Sequence, residues 1–174
     1  VNGKERQAML IMTHPGIEAT GHTTREAVTD GEIHYQAIKN VMDTYGTSAC
    51  TVIMDLTVEA EVFGAEVLMP EHEIPNVTGR LVSDLDSVMQ LELPSLDSAR
   101  VPEYLKANRL AVQHTGKPVF SGCIGPFSLA GRLYDMSEIM VGIYIDTEAV
   151  CLLLDKCTRF IIDYFKAFKS LWAT

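Results

Sequence analysis

Residues 49–64, ACTVIMDLTVEAEVFG, and residues 117–133, KPVFSGCIGPFSLAGRL, decide the fold that the sequence predicts. Each begins with a short apolar run, which is the pattern of a strand buried on both faces. The first run stops at Asp55 before a helix-prone segment, and Gly125-Pro126 turns the second run into a helix. Repeated strand–helix units of this kind favour parallel strands joined by helical crossovers.

The residues upstream continue the alternation. The apolar run 8–13, closed by His14-Pro15-Gly16, predicts another strand buried on both faces. A helix is predicted from Thr24 to Tyr45 because apolar residues recur there at helical spacing. Its capping candidates are Thr23 or Thr24 with Glu26, and Gly31 is a candidate interruption.

The residues downstream complete the pattern. Residues 65–95, which contain Pro70, Pro75 and Gly79, predict extended pieces and a hairpin-like excursion. Helices are predicted over 102–114, 128–133 and 136–145, and an apolar stripe predicts a last helix over 150–171 capped by Asp146 or Thr147. The sequence therefore predicts an α/β fold in which parallel strands alternate with helices, and a single domain over residues 1–174.

Composition narrows the classes of partner. The 174 residues carry 23 acidic and 14 basic side chains, a net charge of −9, without a long basic run. Binding to nucleic acid or to an anionic membrane surface is therefore not expected. No signal-peptide pattern or membrane-length apolar segment is found, so we expect a cytoplasmic protein.

The sulfur-containing residues show no metal or redox motif. The four cysteines match neither a zinc knuckle nor a redox CxxC pair, and we expect them to be reduced and mostly buried. The eight methionines are expected to fill the core without a functional role.

Two candidate catalytic residues follow predicted strands, where sites of parallel α/β proteins lie. His14 follows the first predicted strand and could act as an acid, a base or a ligand, or could merely hydrogen-bond the turn. Asp55 ends the second strand, where a carboxylate in an apolar setting needs a donor partner. Asp55 could also cap the helix that begins near Thr57, and the two roles are compatible.

The candidate substrate-binding residues are Glu59, Gly122, Gly125, Ser128 and Arg132. Glu59, rather than Glu61, is expected to share the side of Asp55, with a solvated surface glutamate as the alternative. The glycines and the following helix start can offer backbone N–H groups to an anion, although glycines also serve tight turns. Arg132 could bind an anionic substrate group, or could form an ion pair with Asp135 or Glu138.

The segments 54–67 and 125–133 make the sequence resemble the uroporphyrinogen decarboxylase superfamily, and more closely its methylcobamide:coenzyme M methyltransferases. The opening residues 2–6, the stretch 13–20 and the long last helix are also similar. The resemblance implies that the chain is the N-terminal part of a TIM (β/α)8 barrel. It further implies that Asp55 corresponds to the aspartate with which the decarboxylases hold the pyrrole nitrogens of their substrate.

Departures from the decarboxylase pattern favour the methyltransferase branch. The arginine-rich substrate loop near the N-terminus is missing, and Arg132 stands where the decarboxylases have an active-site tyrosine. The resemblance therefore implies transfer of a methyl group from a methylated corrinoid to a thiol such as coenzyme M. Tetrapyrrole decarboxylation is the alternative activity, and a non-catalytic truncated barrel that binds a partner chain is the alternative without activity.

Zinc is the cofactor that the resemblance implies for a complete family member. The methyltransferases bind it through a His-x-Cys pair and a distant cysteine, so that the metal presents a thiolate to the methyl group. No His-x-Cys pair occurs in these 174 residues, and the family's ligands lie in the C-terminal half. The partners implied are a corrinoid protein or free methylcobamide, a small thiol, and a second copy or a complementing chain that covers the open strand edges.

Overall fold

The computed structural model describes residues 8–12 and 14–172 of the chain. Nine helices and four short strands are found in this part. In chain order they are α1 (His14–Thr20), α2 (Thr24–Thr29), α3 (Gly31–Tyr45), β1 (Cys50–Thr51), α4 (Val58–Val62), β2 (Glu66–Leu68), β3 (Asn76–Thr78), α5 (Leu85–Gln90), α6 (Val101–His114), β4 (Val119–Phe120), α7 (Pro126–Tyr134), α8 (Met136–Ile145) and α9 (Thr147–Ser170).

Capping side chains set the helix boundaries near the N-terminus. Thr23 and Glu26 form a capping box at the start of α2, which confirms the predicted cap. The predicted helix 24–45 is interrupted at Asp30, whose carboxylate accepts from Glu32 N and Ile33 N and so begins α3. The backbone N–H of the same residue closes α2 on Glu26 O. Asp30 therefore ends one helix and starts the next.

The parallel pairing that the strand–helix units predict is present. β1 and β4 pair in parallel, with Cys50 opposite Val119 and Thr51 opposite Phe120. The strands are shorter than the apolar runs that predicted them, and within the described residues β4 pairs with β1 alone. The hairpin predicted in the excursion is also found, because β2 and β3 pair antiparallel.

The buried strand predicted over residues 8–13 is wrong for residues 8–12, which run beside β1 without strand geometry. Leu10 N donates to Thr47 Oγ1 at 3.3 Å, and Thr51 Oγ1 donates to Leu10 O at 3.0 Å. Side chains thus replace most of the backbone partners of a ladder, and one backbone bond remains, from Ser48 N–H to Ala8 O at 3.2 Å. The Ile11 side chain is 67% exposed, and Thr13 lies outside the described residues. The predicted turn at His14 is the first turn of α1.

The largest hydrophobic cluster places α9 against the helices around the second half of the chain. Leu153, Cys157 and Tyr164 of α9 are almost fully buried in it, beside residues of α4, α6, α7 and α8. A smaller cluster joins α3 and α6 to β1 and β4. This packing holds the segment after β1 next to the segment after β4. No helix in the described part of the chain is long and apolar enough to cross a membrane.

Candidate functional site

A cavity of about 500 Å³ opens where the segments after β1 and β4 meet. This is the edge at which sites of parallel α/β proteins form, because the strands' carboxyl ends converge there. Its walls come from the segment after β1, the loop after β4 and the exposed side of α7. The residues that line it are Met54, Leu56, Cys123, Ile124, Gly125, Ser128, Gly131, Arg132 and Met136.

Helix α7 divides its side chains between the core and this cavity. Leu129, Ala130 and Leu133 are fully buried, whereas Ser128 and Arg132 line the cavity. Gly125 precedes the helix as its N-cap, and no side chain caps this end. The first N–H groups of α7 therefore lie near the cavity wall and remain able to donate to an anion.

Arg132 does not form an ion pair with Asp135 or Glu138, which was the alternative to binding a substrate. Glu138 pairs instead with Arg80 at 3.8 Å, and Asp135 accepts from backbone N–H groups at the start of α8. Among the described residues, no carboxylate lies within ion-pair distance of Arg132. The structure thus brings Gly125, Ser128 and Arg132 to one cavity, while Gly122 lies beside Met54 at its edge.

Glu59 lies inside the protein, so the alternative in which it is a solvated surface glutamate is wrong. It is 3% exposed, and its Oε1 accepts from Ile124 N at 3.1 Å. Its Oε2 is buried and has no hydrogen-bond partner within the part of the chain that the structure describes. Burial raises the pKa of this carboxyl group, and the charge of Asp55 adds to the rise.

A second, narrow space lies beside Glu59. About 10 Å³ in volume, it is lined by both Glu59 and Asp55 and shares Met54, Leu56 and Cys123 with the cavity. Burial, together with the nearby Glu59, raises the pKa of the Cys123 thiol to about 12. Cys123 is therefore a neutral thiol at the junction of the two spaces.

Asp55 is fully engaged by donors from its own segment and from α6. Its Oδ1 accepts from Thr57 N at 2.9 Å and from Thr57 Oγ1 at 2.7 Å. Its Oδ2 forms an ion pair with Arg100 Nη1 and accepts from Tyr104 Oη at 3.4 Å. The donor partner that the sequence required is thus Arg100, which the sequence did not identify.

Arg100 gathers two carboxylates although it is only 6% exposed. Besides Asp55, its Nε binds Glu61 Oε2 at 2.5 Å and its Nη2 donates to Thr57 Oγ1 at 2.8 Å. The expectation that Glu61 points away from Asp55 is wrong, because Asp55 precedes α4 and helical spacing does not apply to it. The sequence signal for Arg100 is weak, since one arginine between two prolines looks like surface.

His14 is not brought to the cavity. It begins α1, is half-buried and does not line the cavity. Its Nδ1 is buried and unpartnered among the described residues. No group of three or more histidine, cysteine, aspartate or glutamate side chains in the described part of the chain could hold a metal ion. The expectation that the eight methionines fill the core is wrong for five of them, because Met9, Met54, Met89, Met136 and Met140 are exposed. Met54 and Met136 line the cavity.

Comparison with known proteins identifies relatives along almost the whole chain. The family model described as uroporphyrinogen decarboxylase (URO-D) matches residues 5–170. A methylcobamide:CoM methyltransferase MtbA of Methanosarcina mazei is 32% identical over 170 residues, which cover 94% of this chain and 50% of the relative. The protein of the same description from Methanosarcina acetivorans is 30% identical over 154 residues, covering 87% of this chain and 45% of the relative.

The fold matches a solved structure over the same extent. A methyltransferase from Methanosarcina mazei superposes with a TM-score of 0.84 at 24% identity, covering 92% of this chain and 49% of that chain. This likeness supports an α/β fold with parallel strands and helices. The chain spans about half the length of the relatives that it matches.

Proposed function

The chain belongs to the uroporphyrinogen decarboxylase family, and from that premise we propose that it contributes the thiol-binding part of a methyltransferase. The proposed reaction moves a methyl group from a methylated corrinoid to a small anionic thiol such as coenzyme M, 2-mercaptoethanesulfonate. The descriptions of the two relatives, which name methylcobamide and CoM, support both substrates. The donor is either free methylcobamide or a corrinoid protein.

The observation that carries this proposal is the placement of Arg132. Its guanidinium lines the 500 Å³ cavity without a carboxylate partner in ion-pair distance among the described residues. A guanidinium can hold an oxyanion through two parallel hydrogen bonds, and sulfonate presents such oxygens. Ser128 adds a hydroxyl donor, and Gly125 leaves the start of α7 open. The sulfonate end of the thiol is proposed to bind here.

We propose that Asp55 has a structural role and holds one wall of the site in place. Its carboxylate is held by Arg100, Thr57 and Tyr104 and fixes the segment that leads into α4. That segment carries Glu59 toward the loop after β4. A catalytic role for His14 stays a prediction from sequence, as does a substrate contact by Gly122.

Zinc does not fit the residues described here, because they contain no group of three suitable ligands. We propose that zinc, if the complete protein uses it, is held by residues outside this sequence. What the described residues supply is the binding and orientation of the acceptor.

The barrel is likewise a proposal. Met9, Ile11 and Phe120 are exposed apolar side chains beside β1 and on β4, where a barrel would continue. Burial of such side chains by further strands would remove the open edge. We propose that the other half of the family fold covers them, supplied by the same polypeptide, a second copy or a complementing chain.

Methyl transfer tests the proposal. The chain, assembled with the other half of the family fold, is incubated with methylcobalamin and 2-mercaptoethanesulfonate in zinc-containing buffer, and free thiol and the cobalamin spectrum are followed. Arg132→Met should raise the KM for the thiol about tenfold or more, since a charge-assisted pair is lost. Arg159→Met is the matched control, because Arg159 pairs with Asp155 at 2.9 Å on the exposed side of α9.

Two results would contradict this function. Equal KM values for the Arg132 and Arg159 variants would remove Arg132 from the thiol site. Release of carbon dioxide from uroporphyrinogen by the wild-type protein, with no methylation of the thiol, would assign decarboxylation instead.

A further inference from the structure

Met136, the first residue of α8, folds back onto Gly131 of α7. A Cβ added at Gly131 would lie 2.5 Å from Met136 Cε, 3.0 Å from its Sδ and 3.7 Å from its Cα. Neighbours along a continuous helix are three or four residues apart, so this contact between residues five apart depends on the turn between α7 and α8. Both residues line the cavity. The thioether of Met136 therefore lies against α7 as part of the cavity wall.

Asp135 makes that turn in a strained backbone conformation. Its φ of 82° is one that residues other than glycine rarely adopt. Its carboxylate accepts from Ser137 N at 2.8 Å and from Glu138 N at 3.2 Å, and these bonds begin α8. Backbone strain is concentrated at binding and active sites, where the surrounding structure holds it. Here the strained residue places Met136 over Gly131.

The space beside Gly131, and not its backbone conformation, requires a glycine. Gly131 lies within α7 and its φ is not positive, so alanine could adopt the same backbone. Alanine is also the better helix former. The atoms nearest to an added methyl group are the far end of the flexible Met136 side chain. The thioether can therefore move away from α7 without forcing the two helices apart.

The wall that Met136 forms bears on the chain of the ligand and not on its charged end. Arg132, the residue after Gly131, offers its guanidinium to the anion in the same cavity. A volume of about 500 Å³ is larger than the two-carbon chain of 2-mercaptoethanesulfonate needs. The size of the cavity therefore does not select a short ligand, and the selection has to come from contacts along its wall.

We propose that Met136 is the specificity-determining residue for the length of the alkyl chain next to the bound anion. Gly131 provides the space that keeps the thioether out of the path of that chain. A methionine side chain is flexible and polarisable, so it can pack along a run of methylene groups. This inference rests on the proposed function, because it takes the cavity to be the site of the sulfonate.

Binding of alkanesulfonates tests the inference without a methyl donor. The chain, assembled with the other half of the family fold, is titrated calorimetrically with ethanesulfonate and with butanesulfonate. The length preference is the affinity for butanesulfonate divided by the affinity for ethanesulfonate. Each added methylene should strengthen binding to the wild type about threefold as it leaves water for the apolar wall, which gives a length preference of about ten.

Gly131→Ala should lower the length preference about fivefold or more, because the displaced thioether takes the space of the longer chain. The affinity for ethanesulfonate should change less than about twofold. In a Met136→Ala background the same substitution should leave the length preference within about twofold, since no thioether is left to displace. Met140→Ala is the control, because Met140 is 51% exposed on α8 and does not line the cavity.

Met136→Ala alone keeps the inference testable if Gly131→Ala does not fold by circular dichroism. Because Met136 is 46% exposed, its truncation removes little buried surface and the variant is expected to fold. The length preference should fall about threefold, since the methylenes lose the thioether contact, whereas Met140→Ala should keep the wild-type value.

The outcomes separate the two proposals. An equal fall on Gly131→Ala in both backgrounds would show that the added methyl acts directly and not through Met136, and would overturn this inference. A length preference near one in the wild type, or one unchanged by Met136→Ala, would also overturn it and leave the sulfonate site standing. Failure of the wild type to bind either alkanesulfonate would overturn the sulfonate site and this inference with it.

Discussion

The carboxylate of Asp55 and the guanidinium of Arg100 form an ion pair that is almost entirely inside the protein, with 1% and 7% of the two side chains exposed. The pair joins the segment after β1 to the residue that precedes α6. Arg100 also binds Glu61, which lies in α4. The one guanidinium therefore holds both α4 and the residues before it. The wall of the cavity therefore depends on a residue that does not touch it.

Arg100→Met should lower the free energy of unfolding by roughly 3–5 kcal/mol, because it leaves a buried carboxylate without its counter-charge. Urea denaturation followed by circular dichroism measures the loss. Arg159→Met, which breaks the exposed pair with Asp155, should cost less than about 1 kcal/mol. Similar losses in the two variants would show that the buried pair does not organise this region.

Gly31→Ala should destabilise the protein although alanine is the better helix former. A Cβ at Gly31 would lie 2.4 Å from Glu103 O, so α3 and α6 would have to separate. We expect a loss of roughly 1–3 kcal/mol in thermal or urea unfolding. Gly125→Ala is the control, because no heavy atom lies within 4 Å of its added Cβ. A Gly31 variant as stable as the Gly125 variant would contradict the tight helix contact.

His34 should make the protein sensitive to mild acid. It is 1% exposed, its Nε2 accepts from Ile53 N at 3.0 Å, and burial lowers its pKa from 6.5 to about 3. Between these values the unfolded chain binds one proton more than the folded chain at this residue. Stability therefore falls as the pH falls from about 6.5 toward 3, by about 1.4 kcal/mol per pH unit.

Urea unfolding at pH 7, 6 and 5 measures this dependence. His34→Gln, which keeps an acceptor for Ile53 N–H, should reduce the slope by the contribution of one histidine. His72→Gln, at an exposed position, should leave the slope as it is in the wild-type protein. Parallel curves for wild type and the His34 variant would contradict a neutral buried imidazole.

Lys156→Met should loosen α5 selectively. The Lys156 ammonium group donates to Val88 O at 2.7 Å, to Met89 O at 3.1 Å and to Leu91 O, which are carbonyls at the end of that helix. Without these donors, amide hydrogen exchange in α5 should accelerate about tenfold. Lys166→Met, which removes the exposed pair with Asp163, serves as the control. Unchanged exchange in α5 would show that Lys156 does not hold it.

Sequence periodicity predicted the longer helices well. The predicted helix 136–145 coincides with α8, and Asp146 caps α9 as one of its two predicted candidates. Helix α9 buries a continuous stripe, so its burial and its periodicity carry the same information, whereas α8 buries only Ile139 and Gly142. The strands were predicted too long, because an apolar run reports burial and not which backbone groups pair. Helix α5 was missed, since its six residues are too few to show a period.

The cavity residues after β4 could be proposed from sequence because they occupy a strand-to-helix loop, a position with a general meaning in parallel α/β proteins. The surroundings of Glu59 and Asp55 could not be predicted from the sequence. Both depend on contacts over long sequence separations: Glu59 with Ile124, and Asp55 with Arg100. No local pattern distinguishes a buried charged residue from an exposed one.

The division of α7 into two faces has a consequence for how the site can vary. Positions 125, 128 and 132 recur at helical spacing on the cavity side, while Leu129, Ala130 and Leu133 serve the interior. Substitutions at these three positions can therefore change the lining of the cavity while the buried side of α7 stays the same. The shape and charge of the cavity are thus separable from the packing that holds the helix in place.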